Sequence, residues 1–152
     1  MSISSSTQDP DLTTTFGRLV EVYASFERQL GRALEQHCGI AHNWFEMMLR
    51  ISRSEDSQIT MSALAEQVAL TTGGVTRIFD RMIAAGYAKR VPCPTDRRVV
   101  YAALTPAGQA KLTEAAEVHA RNLEQLFAGL NGSDRRRLDE LLSRLGGATL
   151  PG

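Results

Sequence analysis

In VPCPTDRRVVY, residues 91–101, an aspartate stands two positions before an arginine, between a pair of prolines and a β-branched run. That spacing lets Asp96 accept from the Arg98 guanidinium and hold it outward. An arginine presented on a stiffened loop is a probe for a narrow, electronegative groove of a polyanion. Upstream, TTGGVTR, residues 71–77, places two glycines near the start of an amphipathic stretch. Glycine there costs a helix about 1 kcal/mol relative to alanine. With Thr71 as N-cap, the amides of Thr72, Gly73 and Gly74 lie at the positive end of the helix dipole, bare of bulky side chains and open to a phosphate. Thr72, Gly73, Thr76, Arg77 and Asp80 share the face opposite Val75, Ile78, Phe79 and Met82. Thr72 and Thr76 offer hydroxyls and methyls to base edges, and Arg77 a bidentate fork to guanine or a phosphate. Taken singly, the glycines also read as a flexible turn and Asp96–Arg98 as a surface ion pair. Their succession favours a nucleic acid.

Charge sorting supports that. The chain has 152 residues and a formal net charge of zero. Yet residues 71–100 hold six basic groups (Arg77, Arg81, Lys89, Arg90, Arg97, Arg98) against two acidic ones, Asp80 and Asp96. The remainder is correspondingly acidic, so one surface is biased toward an anion. A 43% hydrophobic content with few aromatics indicates a globular helical protein. The Ser/Thr-rich start has no apolar core and no segment approaches a membrane span, so a cytoplasmic location without membrane contact is expected.

The elements that must position these residues follow from periodicity. Residues 1–11 read as a disordered tail. Phe16, Leu19, Val20, Tyr23, Phe26, Leu30 and Leu34 mark a long helix ending near Gly39. A second helix carries Ile40, Trp44, Phe45, Met48, Leu49 and Ile51, and a very short strand falls around Ile59. Thr60 caps a short helix, and another starts at Thr71 and ends at Gly86. YAKRV and VVYAAL read as two strands of a hairpin. Thr105-Pro106 opens a helix running to about Leu130, and a last helix starts at Ser133. The fold class is therefore mainly α with a small β-hairpin, a winged helix-turn-helix between long terminal helices. Residues 40–104 form the DNA-binding region; 12–39 and 105–152 have apolar stripes too extensive for one small domain and are expected to dimerise.

The run from Met61 to Gly108 resembles the winged-helix core of the multiple-antibiotic-resistance regulator (MarR) family. The resemblance rests on Asp96-x-Arg98 followed by Leu104-Thr105-x-x-Gly108, with Asp80-Arg81 and Gly86 at matching separations. It implies a homodimer on a pseudo-palindromic double-stranded operator, each recognition helix in a major groove and each wing in a minor groove. By that resemblance Arg98 takes the wing-tip role and Asp96 orients it, while Thr72, Gly73, Thr76 and Arg77 fall in the recognition helix. Many relatives carry longer polar residues where Thr72, Gly73 and Gly74 stand, so base reading here shifts toward backbone amides and DNA shape.

The resemblance also implies a small, often aromatic, effector in a cleft beside the dimer helices. Phe16, Tyr23, His42, Trp44, Met47 and Met48 are candidates to line it, although such stripes more often pack a core. Neither Cys38 nor Cys93 is marked as reactive by its sequence surroundings, and His37-Cys38-x-x-x-His42 lacks a fourth metal ligand. No metal or cofactor is expected, and no catalytic spacing is found. The expected function is a sequence-specific transcriptional regulator, a repressor relieved by an effector. The alternatives are a winged-helix protein-interaction module and a redox- or metal-sensing repressor.

Overall fold

A computed structural model describes residues 10–68 and 72–150. The predicted tail lies outside them, apart from its last two residues, and so does Thr71. The first helix, α1 (Leu12–Cys38), begins where the Asp11 carboxylate accepts from the amides of Thr13 and Thr14, and ends at Gly39 in the left-handed region, φ +67°. Only its C-terminal third is buried on this chain, through Leu30, Leu34 and Cys38. Helix α2 (His42–Arg53) lies across it and buries Phe45, Met47, Met48 and Ile51.

A single 3-10 turn leads into strand β1 (Gln58–Thr60) and helix α3 (Met61–Gln67), whose N-cap Thr60 accepts from the Ala63 amide. Helix α4 (Thr72–Ala84) follows, then strands β2 (Ala88–Pro92) and β3 (Val100–Leu104). The hairpin acquires a third strand: β1 pairs antiparallel with β3, Ile59 opposite Ala102, giving the order β1-β3-β2. Ile59 and Ala102 are buried there, so the three-residue strand is held by side-chain burial as well as by its ladder. The core is continuous from α1 through α2 and α4 to the sheet and α5, with Leu34, Met48, Ile51, Leu64, Val75, Phe79 and Met82 fully covered.

Two boundaries differ from expectation. Helix α5 (Pro106–Leu126) stops four residues before Leu130; beyond its end the Arg135 side chain reaches back and donates to the carbonyls of Phe127 and Leu130. Those acceptors are satisfied without further helix. Helix α6 (Gly132–Gly146) is capped by Asn131, whose side chain accepts from the Asp134 amide, one residue earlier than a start at Ser133 implies.

Candidate nucleic-acid interface

Helix α4 presents two faces. Val75, Phe79 and Met82 are buried, whereas Gly73, Arg77, Asp80 and Arg81 are exposed, as the 3.6-residue period requires. Thr76 is half-buried. Among the described residues, a Cβ added at Gly73 would meet no atom within 4 Å beyond its chain neighbours and its own helix backbone.

The C-terminal end of α4 is tightly fastened. Gly86 adopts φ +82° and its amide donates to the Ile83 carbonyl, while the Tyr87 amide donates to that of Met82. Thr105, the N-cap of α5, donates its hydroxyl to the Gly86 carbonyl at 2.6 Å and its amide to the Tyr87 carbonyl at 3.0 Å. The same hydroxyl accepts from the Gly108 amide. Gly108 packs so closely on the Tyr87 carbonyl that a side-chain carbon would overlap it. Lys111, one turn further on, donates to the Cys38 carbonyl at 3.2 Å and to Glu114 at 2.7 Å, with its ammonium 6.0 Å from the Tyr87 ring centroid. The ends of α1 and α4 and the start of α5 thus meet at one junction. Thr105 and Pro106 were legible as a helix start; the close approach of Gly108 was not, since its partner lies 21 residues earlier.

In the wing the Cys93 amide donates to the Val99 carbonyl, and the Val99 amide to that of Asp96, closing the loop. Asp96 Oδ1 accepts from the Arg98 backbone N–H at 3.0 Å and from its Nε at 3.3 Å. The Arg98 side chain is 91% exposed. Asp96 thus contacts a guanidinium that is otherwise open to solvent; Arg97 beside it is also exposed. Arg90 is different. It leans back onto α4 and pairs with Asp80 at 2.7 Å.

The six proposed cleft residues are not brought together. Met47 and Met48 are fully buried in the core, Trp44 packs edge-on against Tyr87, and His42 faces His119 at 6.1 Å between ring centroids. Phe16 and Tyr23 stand exposed on α1. Tyr23 lines a cavity of about 560 Å³ between α1, α5 and α6, with Leu19, Phe26, Phe127, Leu138 and Leu142.

The two cysteines differ in ways the sequence did not mark. Burial pushes the Cys38 thiol up, with Glu114 adding to the effect. Cys93 is pulled down, first by its hydrogen bond with the Thr95 hydroxyl and then by backbone amides of Thr95 and Asp96. Among the described residues no three His, Cys, Asp or Glu side chains converge to hold a metal ion.

This geometry coincides with a match between residues 39–99 and the MarR family profile. That segment is similar to the MarR family. Over 88 residues, 57% of its length, the chain is 31% identical to the multiple antibiotic resistance protein MarR of Salmonella typhimurium. Curated relatives matched at about this identity are covered over only 49–61% of their length. AbsC, a MarR family transcriptional regulator from Streptomyces coelicolor, superposes with a TM-score of 0.78 at 25% identity, over 93% of this chain and 96% of its own. Sco3205 from the same organism, solved in complex with DNA, gives 0.80 at 22%, over 96% and 95%; that likeness is one of fold. No helix among the described residues is long and apolar enough to cross a membrane.

Proposed function

We propose that the chain is a sequence-specific, DNA-binding transcriptional regulator acting as a homodimer, with α4 in the major groove and the wing in the minor groove. The observation that carries this is the braced, solvent-presented Arg98 at the wing, beside a helix that turns Gly73, Arg77 and Arg81 outward. Thr71, Thr72, Gly74, Thr76 and Arg97 complete the assignment. The amides at the start of α4 bind phosphate, the arginines follow the backbone and grooves, and Asp96 positions Arg98.

The dimer is supported by the apolar side chains that α1 and α6 leave uncovered. Phe16 and Tyr23 are 65% and 60% exposed and Leu145 62%, along helices that extend beyond the core. A second copy covers such a face most economically, placing two recognition helices on one side of a two-fold operator. Residues 12–39 and 105–152 are thus assigned to dimerisation and 40–104 to DNA contact. The readings as repressor and as effector-responsive rest on family resemblance. Of the six candidate effector residues, Tyr23 alone lines the apolar cavity.

The test is Arg98→Ala with a duplex that the native chain selects from a randomised pool. The variant should remain dimeric by light scattering and lose at least about tenfold in affinity, one good groove contact being worth about 1–3 kcal/mol. Equal affinity across a salt series removes the wing from the interface.

A further inference from the structure

Arg90 belongs by sequence to the basic set that faces DNA, yet its guanidinium, still partly exposed, leans onto α4. Its Nη2 donates to Asp80 Oδ1 at 2.7 Å, and its Cζ lies 5.5 Å from the ring centroid of Phe79, a side chain with no exposed surface. Arg90 is on β2, opposite Ala102 of the central strand. Asp80 and Phe79 are in the middle of α4. The contact therefore ties the body of α4 to the wing, at a point well separated from the Gly86–Thr105 fastening at its end.

We propose that Arg90 is a positioning residue that sets the angle of α4 against the wing through Asp80 and Phe79, and is not a residue that touches DNA. This rests on the DNA-binding reading given above. The buried stripe of Val75, Phe79 and Met82 seats α4 on the core, and the Arg90 contact adds a tie on the wing side that limits its tilt. Gly73 lies 13 residues from Gly86, about 20 Å along a helix, so a tilt of roughly 5° moves it by about 2 Å. That is enough to lose hydrogen bonds to base edges or phosphates, whose tolerance is a few tenths of an ångström.

Asp80 makes the inference testable by sign. It is an exposed acid on the face of α4 that carries Arg77 and Arg81. Next to a polyanion, removing a negative charge should tighten binding through electrostatics alone. If Asp80 holds Arg90 in place, removing it weakens sequence-specific binding instead.

The experiment compares the full-length native chain with Asp80→Asn, Arg90→Gln, the double variant and Arg90→Lys. Affinities are measured for a duplex selected by the native chain and for a scrambled duplex, over a salt series, with melting temperature and oligomeric state alongside. Asp80→Asn and Arg90→Gln should each weaken the selected duplex roughly three- to tenfold, the range for a partly exposed ion pair with a cation–π contact. The ratio of selected to scrambled affinity should fall in both, and the double variant should be no worse than the weaker single. Arg90→Lys, which keeps the charge and a donor to Asp80, should recover part of the ratio.

Tighter or unchanged binding by Asp80→Asn overturns the proposal. So does an additive double variant. A salt slope that drops by about one phosphate in Arg90→Gln, with Asp80→Asn unaffected, makes Arg90 a DNA contact. If the native chain selects no sequence, the DNA-binding reading fails and this inference with it, an outcome distinct from selection by a native chain whose Asp80→Asn variant binds tighter.

Discussion

Gly73→Ala separates two demands on the start of α4, because folding and DNA binding pull it in opposite directions. Gly73 is exposed in the first turn of the helix, it has no positive φ, and an added Cβ has open space around it. Alanine therefore fits without strain and should stabilise the native state by about 0.5–1 kcal/mol, through helix propensity and a smaller unfolded ensemble. For a chain of this length that raises the melting temperature by roughly 1–4 °C. If the amides here approach a phosphate, the same methyl stands in the gap. Losing a hydrogen bond to a charged group costs about 1.5–3 kcal/mol, so affinity should fall about tenfold or more. The assay pairs thermal unfolding with fluorescence anisotropy on a duplex selected by the native chain. A higher melting temperature with unchanged affinity refutes close backbone approach at Gly73. A lower melting temperature refutes the claim that its helical conformation is unstrained.

The other predictions concern the junction, a half-buried histidine and the two thiols. Gly108→Ala forces a carbon against the Tyr87 carbonyl and should cost about 1–3 kcal/mol. Calorimetry should show a clear loss of melting temperature, and an unchanged value would mean that α5 shifts freely at its start. His119 has its pKa lowered from 6.5, first by burial and then by the neighbouring His42. Its folded form resists a proton that the unfolded chain accepts, so the associated stability is present above about pH 6.5 and is lost as pH falls below it. His119→Gln should flatten the acid limb of a pH–stability profile from chemical denaturation, and an identical slope would remove His119 as its source. Cys93, with its lowered pKa and partial exposure, should be alkylated by iodoacetamide at lower pH and faster than buried Cys38. Mass spectrometry of a timed reaction reads this directly, and equal rates would contradict the environments seen here.

Sequence and structure agree most closely where the signal is local. Thr60 and Thr105 act as N-caps and Gly39 and Gly86 as left-handed stops, because capping depends on residues a few positions apart; Asp11, read as part of the tail, instead caps α1. The Asp96–Arg98 brace was legible for the same reason. What escaped was set by distant partners. The role of Gly108 depends on Tyr87, the satisfaction of the carbonyls after α5 on Arg135, and the orientation of Arg90 on Asp80 across ten residues and a strand boundary. The six candidate effector residues divide between core and surface on this chain because helical periodicity assigns a face but not its neighbour. Met47 and Met48 face the core, whereas Phe16 and Tyr23 lie on the part of α1 that outruns it.

The same long-range contacts bear on how a dimer would control DNA. Helix α5 is shared: its start is fastened to the end of α4 by Thr105 and Gly108, and its length packs along α1. Lys111 adds a charged tie from α5 to the last carbonyls of α1, with Tyr87 beneath its ammonium. A displacement of α1 against α5 at a dimer interface is therefore delivered to the base of the recognition helix, not absorbed by a loop. Because α4 is also held in its middle by Arg90, it can follow only as one body with the wing. The spacing between two recognition helices then becomes the quantity that dimer packing sets.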